Sequence, residues 1–170
     1  MGHTLIAQFD GTLHARLTSA LRELPANKIP FRKDCDRAAA DRILPYHATL
    51  IHWAKEQDAV FLPRCRDLQL PPCTLIAESV QLRGDWLYLA VLPGQGFPAL
   101  ARVLSGTFGM RPPENLHITV SVTRDKARIA EQYRILRAAL TLPVTLPVQS
   151  FGLYHIWNPV RPVREIRPEE

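Results

Sequence analysis

Long apolar runs are missing from this chain of 170 residues. No run reaches the ~18–20 residues that a helix needs to cross a bilayer, so we expect no transmembrane helix. Residues 1–6 lack a basic segment followed by a long apolar one, so no secretory signal is expected. Ile6 stands where a myristoylated N-terminus carries Ser or Thr, so no lipid anchor is expected either. These absences favour a cytoplasmic protein without a membrane partner.

Cysteine is also scarce, and the chain has three cysteines, at positions 35, 65 and 73. An odd number at wide spacing argues against a disulfide framework and favours a reducing compartment. No Cys-x-x-Cys pair is present, and no cluster of His, Asp and Glu shows the spacing of metal ligands. The sequence therefore predicts no metal and no cofactor. We interpret Cys35, Cys65 and Cys73 as packing residues.

The composition is that of a globular protein, with 46% hydrophobic and 22% charged residues. Its length fits one domain or two small lobes that share one core. The charge is uneven: residues 86–170 carry 10 Lys and Arg against 6 Asp and Glu, which is +4 of the net +5. A basic half favours anionic ligands such as phosphates, although on charge alone surface salt bridges and solubility are the commoner explanation.

Helical and strand-like segments alternate along the chain in a mixed order. The tripeptide Arg83–Asp85 between two apolar runs predicts a β-hairpin. Thr12 is suited to cap a helix, and the apolar residues after it recur at helical spacing, which predicts the first helix. The mixture predicts an α+β protein. The predicted strands are 5–9, 46–53, 74–81, 86–92, 116–122, 144–156 with an interruption at Pro147, and an edge strand within 160–166; the predicted helices are 12–24, 54–68 as far as Pro63, 98–107 and 125–139.

Two of the predicted strands carry the same short motif, His-x-Thr. The first copy is His47-Ala48-Thr49 and the second is His117-Ile118-Thr119, 70 residues later. Residues i and i+2 of a strand point to the same face, so each motif directs an imidazole and a hydroxyl into one space. If the two strands face a common groove, two imidazoles and two hydroxyls converge there. A single copy arises by chance, whereas two copies in apolar strands indicate a site.

Such a set is suited to the cleavage of a phosphodiester. One neutral histidine accepts a proton from water, and the other, protonated, donates a proton to the leaving oxygen. Histidine is suited to both tasks because its ordinary pKa of about 6.5 allows both forms near neutrality. The two threonine hydroxyls donate hydrogen bonds to the non-bridging oxygens, where charge accumulates in the transition state. We therefore predict His47, Thr49, His117 and Thr119 as the catalytic residues.

The paired motifs His47-Ala48-Thr49-Leu50 and His117-Ile118-Thr119-Val120 resemble the signature of the two-histidine phosphoesterase superfamily, which includes bacterial 2′-5′ RNA ligase-like cyclic phosphodiesterases. The resemblance covers nearly the whole chain, and it implies one domain over residues 1–170 with two pseudo-symmetric lobes. Each lobe would contribute an antiparallel sheet to a central groove, with helices outside. After the two motifs this sequence has His52-Trp53 and Val122, where many bacterial relatives carry other residues.

The resemblance also implies an activity: metal-independent hydrolysis of 2′,3′-cyclic phosphate ends, or of related 2′-5′ linkages, in RNA or nucleotides. It implies that His117 is the base and His47 the acid, roles that exchange when the reaction runs in reverse. RNA or a nucleotide would be the partner, and we expect a monomer. Two alternatives stay open at this point: an RNA- or nucleotide-binding module without turnover, and a purely structural domain.

Four further residues are candidates for substrate binding. Tyr46 and Tyr154 are aromatic residues suited to stack on a base, and core packing is the alternative for both. Arg111 precedes the second motif and Arg124 follows it, so that either is suited to hold a second phosphate or to steer the substrate. His52 follows His47 by five positions, so in a regular strand it points to the opposite face.

Overall fold

A computed structural model describes residues 2–21, 46–155 and 163–168. Within these ranges the chain forms seven β-strands and four α-helices, with a short 3₁₀ helix at Lys55–Gln57 before the second α-helix. The strands are β1 (His3–Phe9), β2 (His47–Trp53), β3 (Thr74–Arg83), β4 (Trp86–Pro93), β5 (His117–Val122), β6 (Val144–His155) and β7 (Arg164–Ile166). The helices are α1 (Gly11–Ala20), α2 (Asp58–Arg64), α3 (Phe97–Phe108) and α4 (Lys126–Ala139).

All the strand pairs of the sheet are antiparallel, and six of the strands close on themselves. Their order is β1-β2-β5-β4-β3-β6, and β6 pairs again with β1, while β7 is added along β6. The α+β class is therefore confirmed. The two motif strands, β2 and β5, are 70 residues apart at their motifs yet lie next to each other in this order.

One face of the closed sheet carries the hydrophobic core. Strand residues such as Leu50 and Ile118 belong to this core together with Leu17 of α1, Leu104 of α3 and Leu136 of α4, all of which are buried. The helices therefore cover this face. Because helices cannot fit within a ring of six strands, the covered face is the outer one. The opposite face lines the inside of the ring.

Local sequence signals account for the helix starts. Asp10 caps α1, since its carboxylate accepts a hydrogen bond from the backbone N–H of Thr12 at 2.9 Å. The prediction that Thr12 caps this helix was therefore wrong by two residues. Asp125 caps α4 in the same way through the N–H of Arg128. A carboxylate at this position satisfies an N–H that has no partner within the helix.

The hairpin and the last strands agree with the sequence, apart from one proline. Gly84 has a φ of +64°, which the tight turn between β3 and β4 requires. Pro147 does not interrupt β6 as predicted. It lies opposite Thr74 at the end of the pairing with β3, and from Val148 onward β6 pairs with β1. At this change of partner the strand accommodates a residue without an N–H.

A hydrogen-bonded cluster joins the start of β1 to β2 and α2. One carboxylate oxygen of Asp58 accepts hydrogen bonds from Nδ1 of His3 and from Nε1 of Trp53, both at 2.8 Å. The ring of His3 stacks on Trp53 and meets the ring of His155 edge-on. Burial alone would raise the pKa of Asp58. The hydrogen bonds from His3 and Trp53, with the charges of His3 and His155, lower that pKa below its usual value.

Two cysteines lie in the core, as predicted. Cys65 and Cys73 are free and buried, and burial raises the pKa of each thiol to about 11. The guanidinium of Arg164 donates a hydrogen bond to the backbone carbonyl of Cys65. Both thiols are therefore protonated at neutral pH and act as apolar packing groups.

Some predictions fall outside the described residues. These are Cys35, the end of the first helix beyond residue 21, and residues 160–162 of the last strand. Within the part of the chain that the structure describes, no helix is long and apolar enough to cross a membrane.

The Asp58 cluster makes a prediction about stability. Replacing Asp58 with Ala leaves the Nε1 of Trp53 and the Nδ1 of His3 without their acceptor, so we expect the free energy of unfolding at about pH 7 to fall by about 1–3 kcal/mol. Asp58 has a lowered pKa in the folded state, so its contribution is present above its unfolded pKa of about 3.9 and is lost as the pH falls through the folded value. Urea unfolding at neutral and acidic pH measures both effects.

The control for this experiment is Asp58→Asn, which keeps an acceptor oxygen but removes the charge. We expect it to lose less stability at neutral pH and to lack the acid-dependent part. Equal stability of the wild type and Asp58→Ala at neutral pH would contradict this account of the cluster.

Candidate active site

The two His-x-Thr motifs lie on neighbouring antiparallel strands. Ala48 of β2 is the direct partner of Ile118 of β5, and these are the central residues of the two motifs. Antiparallel register then places His47 opposite Thr119, and Thr49 opposite His117.

All four motif side chains lie on the same face of the sheet. Ala48 and Ile118 are fully buried in the core, whereas the His and Thr on either side of each are half-buried. Because strand residues alternate between faces, the half-buried set is on the inside of the closed sheet. Directly opposite residues have Cβ atoms about 5 Å apart, and diagonal ones about 7–8 Å, so the two imidazoles lie diagonally across a gap of that order. This spacing suits a single phosphate group.

Both motif strands change register directly after the motif. In β2, Leu50 is an extra residue between Thr49 and Ile51, which are opposite Ile6 and Leu5 of β1. In β5, Val120 is an extra residue between Thr119 and Ser121 in the pairing with β4. In each strand the two residues that follow the Thr are both buried. A bulge of this kind turns the later residues of the strand to the other face.

The bulge in β2 changes the position of His52. Its partner in β1 is Thr4. Thr4 lies on the same face of β1 as Ile6 and Gln8, which are the partners of Thr49 and His47. His52 is therefore on the same face as the motif, and it is exposed. The prediction that it points to the opposite face was wrong, because it assumed a strand without a bulge.

The ring of His117 is held in a defined tautomer. Its Nδ1 lies 3.1 Å from the backbone carbonyl oxygen of Asn115. A carbonyl oxygen only accepts hydrogen bonds, so Nδ1 carries the proton that is donated. The neutral ring then has its lone pair on Nε2, which is the nitrogen available to take up a proton from a bound molecule.

Aromatic side chains of β4 surround the second motif. Nε1 of Trp86 donates a hydrogen bond to the hydroxyl of Thr119 at 3.1 Å. The indole also meets the ring of His117 edge-on, at 4.7 Å between centroids and an interplanar angle of 88°. Tyr88, the cross-strand partner of Thr119, stacks against Trp86 at 4.1 Å between centroids and also meets the ring of His117 edge-on.

Polar side chains of β1 and β6 line the face beside the first motif. The amide of Gln8 donates to the hydroxyl of Tyr154 at 3.0 Å and accepts from the hydroxyl of Ser150 at 3.0 Å. Gly152 allows this contact, because a Cβ there would lie 2.4 Å from the ring of Tyr154. Burial raises the pKa of the Tyr154 phenol, so the group keeps its proton at neutral pH. Gln8 lies opposite His47, and hydrogen bonds thus hold both the nitrogen and the oxygen of its side-chain amide.

The other predicted binding residues are placed differently. Tyr154 is on the motif face but is buried, and its small apolar cluster with Ile6 is separate from the main core. Tyr46 packs against the main core and lies 5.4 Å from the ring of His14 in α1, so the structure does not bring it to the motifs. Arg111 and Arg124 are exposed on the segments before and after β5.

Sequence reasoning did not identify three residues that contact or flank the motifs. These are Trp86, Gln8 and Asn115, of which the last acts through its backbone carbonyl. A period-two reading of β4 alone places Trp86 and Tyr88 on one face. Whether this face is the one that carries the motifs depends on the pairing of β4 with β5, which no local pattern reveals.

A cavity of about 690 Å³ lies elsewhere, between α1, the end of α4 and the start of β6. Its lining includes Asp10, Arg16, Thr141 and Pro147 and none of the motif residues. We place the candidate site at the motifs because the groups suited to proton transfer are there. Over the described ranges, no group of three or more His, Cys, Asp or Glu side chains is arranged to hold a metal ion.

Comparison with known proteins gives matches at the level of structure. No family model and no curated protein matches the sequence. A solved phosphoesterase structure superimposes with a TM-score of 0.57 at 16% identity, over 99% of this chain and 99% of that one. Escherichia coli LigT in complex with ATP gives 0.56 at 15% identity, and its complex with 3′-AMP gives 0.54 at 15%, each over 99% of this chain and 98% of LigT. The chain therefore has the fold of this phosphoesterase and of E. coli LigT.

Proposed function

We propose that this chain is a two-histidine phosphoesterase: a metal-independent phosphodiesterase that hydrolyses 2′,3′-cyclic phosphate ends, or related 2′-5′ linkages, of RNA or nucleotides. The observation that carries the proposal is the pairing of Ala48 with Ile118, which aligns two imidazoles and two hydroxyls on one face. The shared fold with a phosphoesterase and with LigT supports it.

The reaction needs only the groups at this site and water. A neutral histidine removes a proton from water as the water oxygen attacks phosphorus. The bond from phosphorus to one ribose oxygen of the cyclic phosphate breaks, and the second, protonated histidine gives its proton to that oxygen. The hydroxyls of Thr49 and Thr119 donate to the non-bridging oxygens. The product is a phosphate monoester, and the two histidines have exchanged their protonation states.

We assign the base to His117 and the acid to His47. The hydrogen bond from Nδ1 of His117 to the carbonyl of Asn115 supports the first assignment, since it leaves the lone pair on Nε2. His47 lies diagonally across the gap, on the side where a leaving oxygen opposite the attacking water would emerge.

The substrate class follows from the surroundings of the motifs. LigT has been crystallised with ATP, 3′-AMP and NADP+, which supports a nucleotide in this groove as well. We propose that the exposed Arg111 and Arg124 hold a further phosphate, and that the phenol of Tyr154 contacts the sugar or base. The matching bulges after the two motifs support a fold of two similar lobes, with one motif in each.

The first test replaces each histidine. We expect His47→Ala and His117→Ala each to lower kcat for a 2′,3′-cyclic nucleotide by about 10²–10⁴-fold, because each loses one proton-transfer step. Turnover is measured by product analysis that separates 2′-phosphate from 3′-phosphate. The matched control is His14→Ala, since His14 is exposed on α1, on the outer side of the sheet. Full activity in both motif variants would reject the mechanism.

The second test concerns pH and metal. We expect kcat/KM to be unchanged in excess EDTA and to follow a bell-shaped pH profile, since one histidine must be neutral and the other protonated. The two limbs belong to the pair rather than to either residue, because the two groups share one site. Loss of activity in EDTA that added divalent metal restores would contradict the metal-independent mechanism.

The alternative of a binding module without turnover is decided by the same samples. It predicts salt-sensitive binding of 3′-AMP with no product from any cyclic or 2′-5′-linked substrate.

A further inference from the structure

We propose that Trp86 is a positioning residue of this site, whose indole N–H fixes the hydroxyl of Thr119 as a hydrogen-bond donor towards the substrate phosphate. The inference rests on the proposed function, and it assigns a task to a residue outside the two motifs.

The hydrogen bond between Trp86 and Thr119 has one possible direction. An indole Nε1–H only donates, so in the 3.1 Å contact the oxygen of Thr119 is the acceptor. A threonine hydroxyl has one proton and two lone pairs. With one lone pair engaged by the indole, the proton turns away from Trp86. The hydroxyl is therefore prepared to donate before substrate binds, which removes part of the cost of orienting it in the transition state.

The indole itself is held in place from two sides. It stacks on Tyr88, with the ring planes inclined by 27°, and it meets His117 edge-on. It also lies directly after the two-residue turn Gly84–Asp85, where β3 and β4 are joined, and its cross-strand partner is Arg83. A donor fixed by the backbone of a hairpin and by two rings has little freedom to follow the hydroxyl.

The first motif has a different neighbour at the matching position. Trp86 is the partner of Val122, three residues after Thr119, and the corresponding partner of His52, three residues after Thr49, is Thr4. The hydroxyl of Thr4 donates to the backbone carbonyl of Ile51. Thr49 and Thr119 are therefore not equivalent. The hydroxyl oriented by an indole is the one next to His117, the residue proposed to activate water.

A double-mutant cycle on kcat for 2′,3′-cyclic AMP tests the proposal. Trp86→Phe keeps the aromatic ring but removes the N–H, and we expect kcat to fall about tenfold with KM nearly unchanged. Thr119→Val removes the hydroxyl, and we expect a loss of about 100-fold. If Trp86 acts through Thr119, adding Trp86→Phe to Thr119→Val causes no further loss. A Trp86 that only supports the fold would lower kcat by the same factor in both backgrounds.

The matched control is Trp53→Phe. This change also removes an indole hydrogen bond, in this case to Asp58 at the edge of the core. We expect it to lower the melting temperature but to leave kcat unchanged. The control therefore distinguishes the general effect of losing an indole hydrogen bond from the specific effect of losing the bond between Trp86 and Thr119.

A spectroscopic measurement makes the test independent of turnover. The indole ¹H–¹⁵N resonance of Trp86, assigned by its absence in Trp86→Phe, should move upfield in Thr119→Val because its acceptor is lost. An unchanged resonance would show that the bond does not form in solution and would overturn the proposal.

The outcomes distinguish this inference from the function on which it rests. If His117→Ala and Thr119→Val leave activity unchanged, the proposed function fails. If both lower kcat while Trp86→Phe has no effect, or its effect multiplies with that of Thr119→Val, only the role of Trp86 fails. A fall in kcat that disappears in the Thr119→Val background, together with the shifted resonance, supports the proposal.

Discussion

The pairing of Ala48 with Ile118 is the constraint on which the site depends. Both are small or branched apolar residues that are fully buried beneath the helices. Their burial fixes which face each strand turns to the core, and the flanking His and Thr must then lie on the other face. A slip of one residue in either strand would turn one motif into the core. The hydrophobic packing of Ala48 and Ile118, which have no polar side-chain groups, thus sets the geometry of the four motif His and Thr side chains.

Neighbouring strands then make the two halves of the site unequal. Beside the second motif, the carbonyl of Asn115 and the indole of Trp86 fix the proton positions on His117 and Thr119. Beside the first motif, Gln8 is held by Ser150 and Tyr154. Two identical short motifs therefore have different surroundings. Such a difference favours a reaction in which one histidine accepts a proton and the other donates one.

Much of this arrangement could be predicted from the sequence, for identifiable reasons. β-Branched and aromatic residues located β2, period-two alternation located β5, and the turn residues located the β3–β4 hairpin, because these signals are local. The face of His52 could not be predicted, because the bulge that turns it is defined by pairing with β1. The hydrogen bond from Trp86 to Thr119 spans 33 residues and depends on β4 lying beside β5. The continuation of β6 through Pro147 could not be predicted either, because a change of strand partner leaves no trace in the local pattern.

The proposed mechanism requires one anion to lie between the two histidines. Titration of the folded chain with inorganic phosphate, followed through the imidazole resonances of His47 and His117, measures whether it does. We expect both rings to respond along one binding curve, with the same dissociation constant, because one phosphate contacts both. Separate curves, or a response from only one ring, would contradict it.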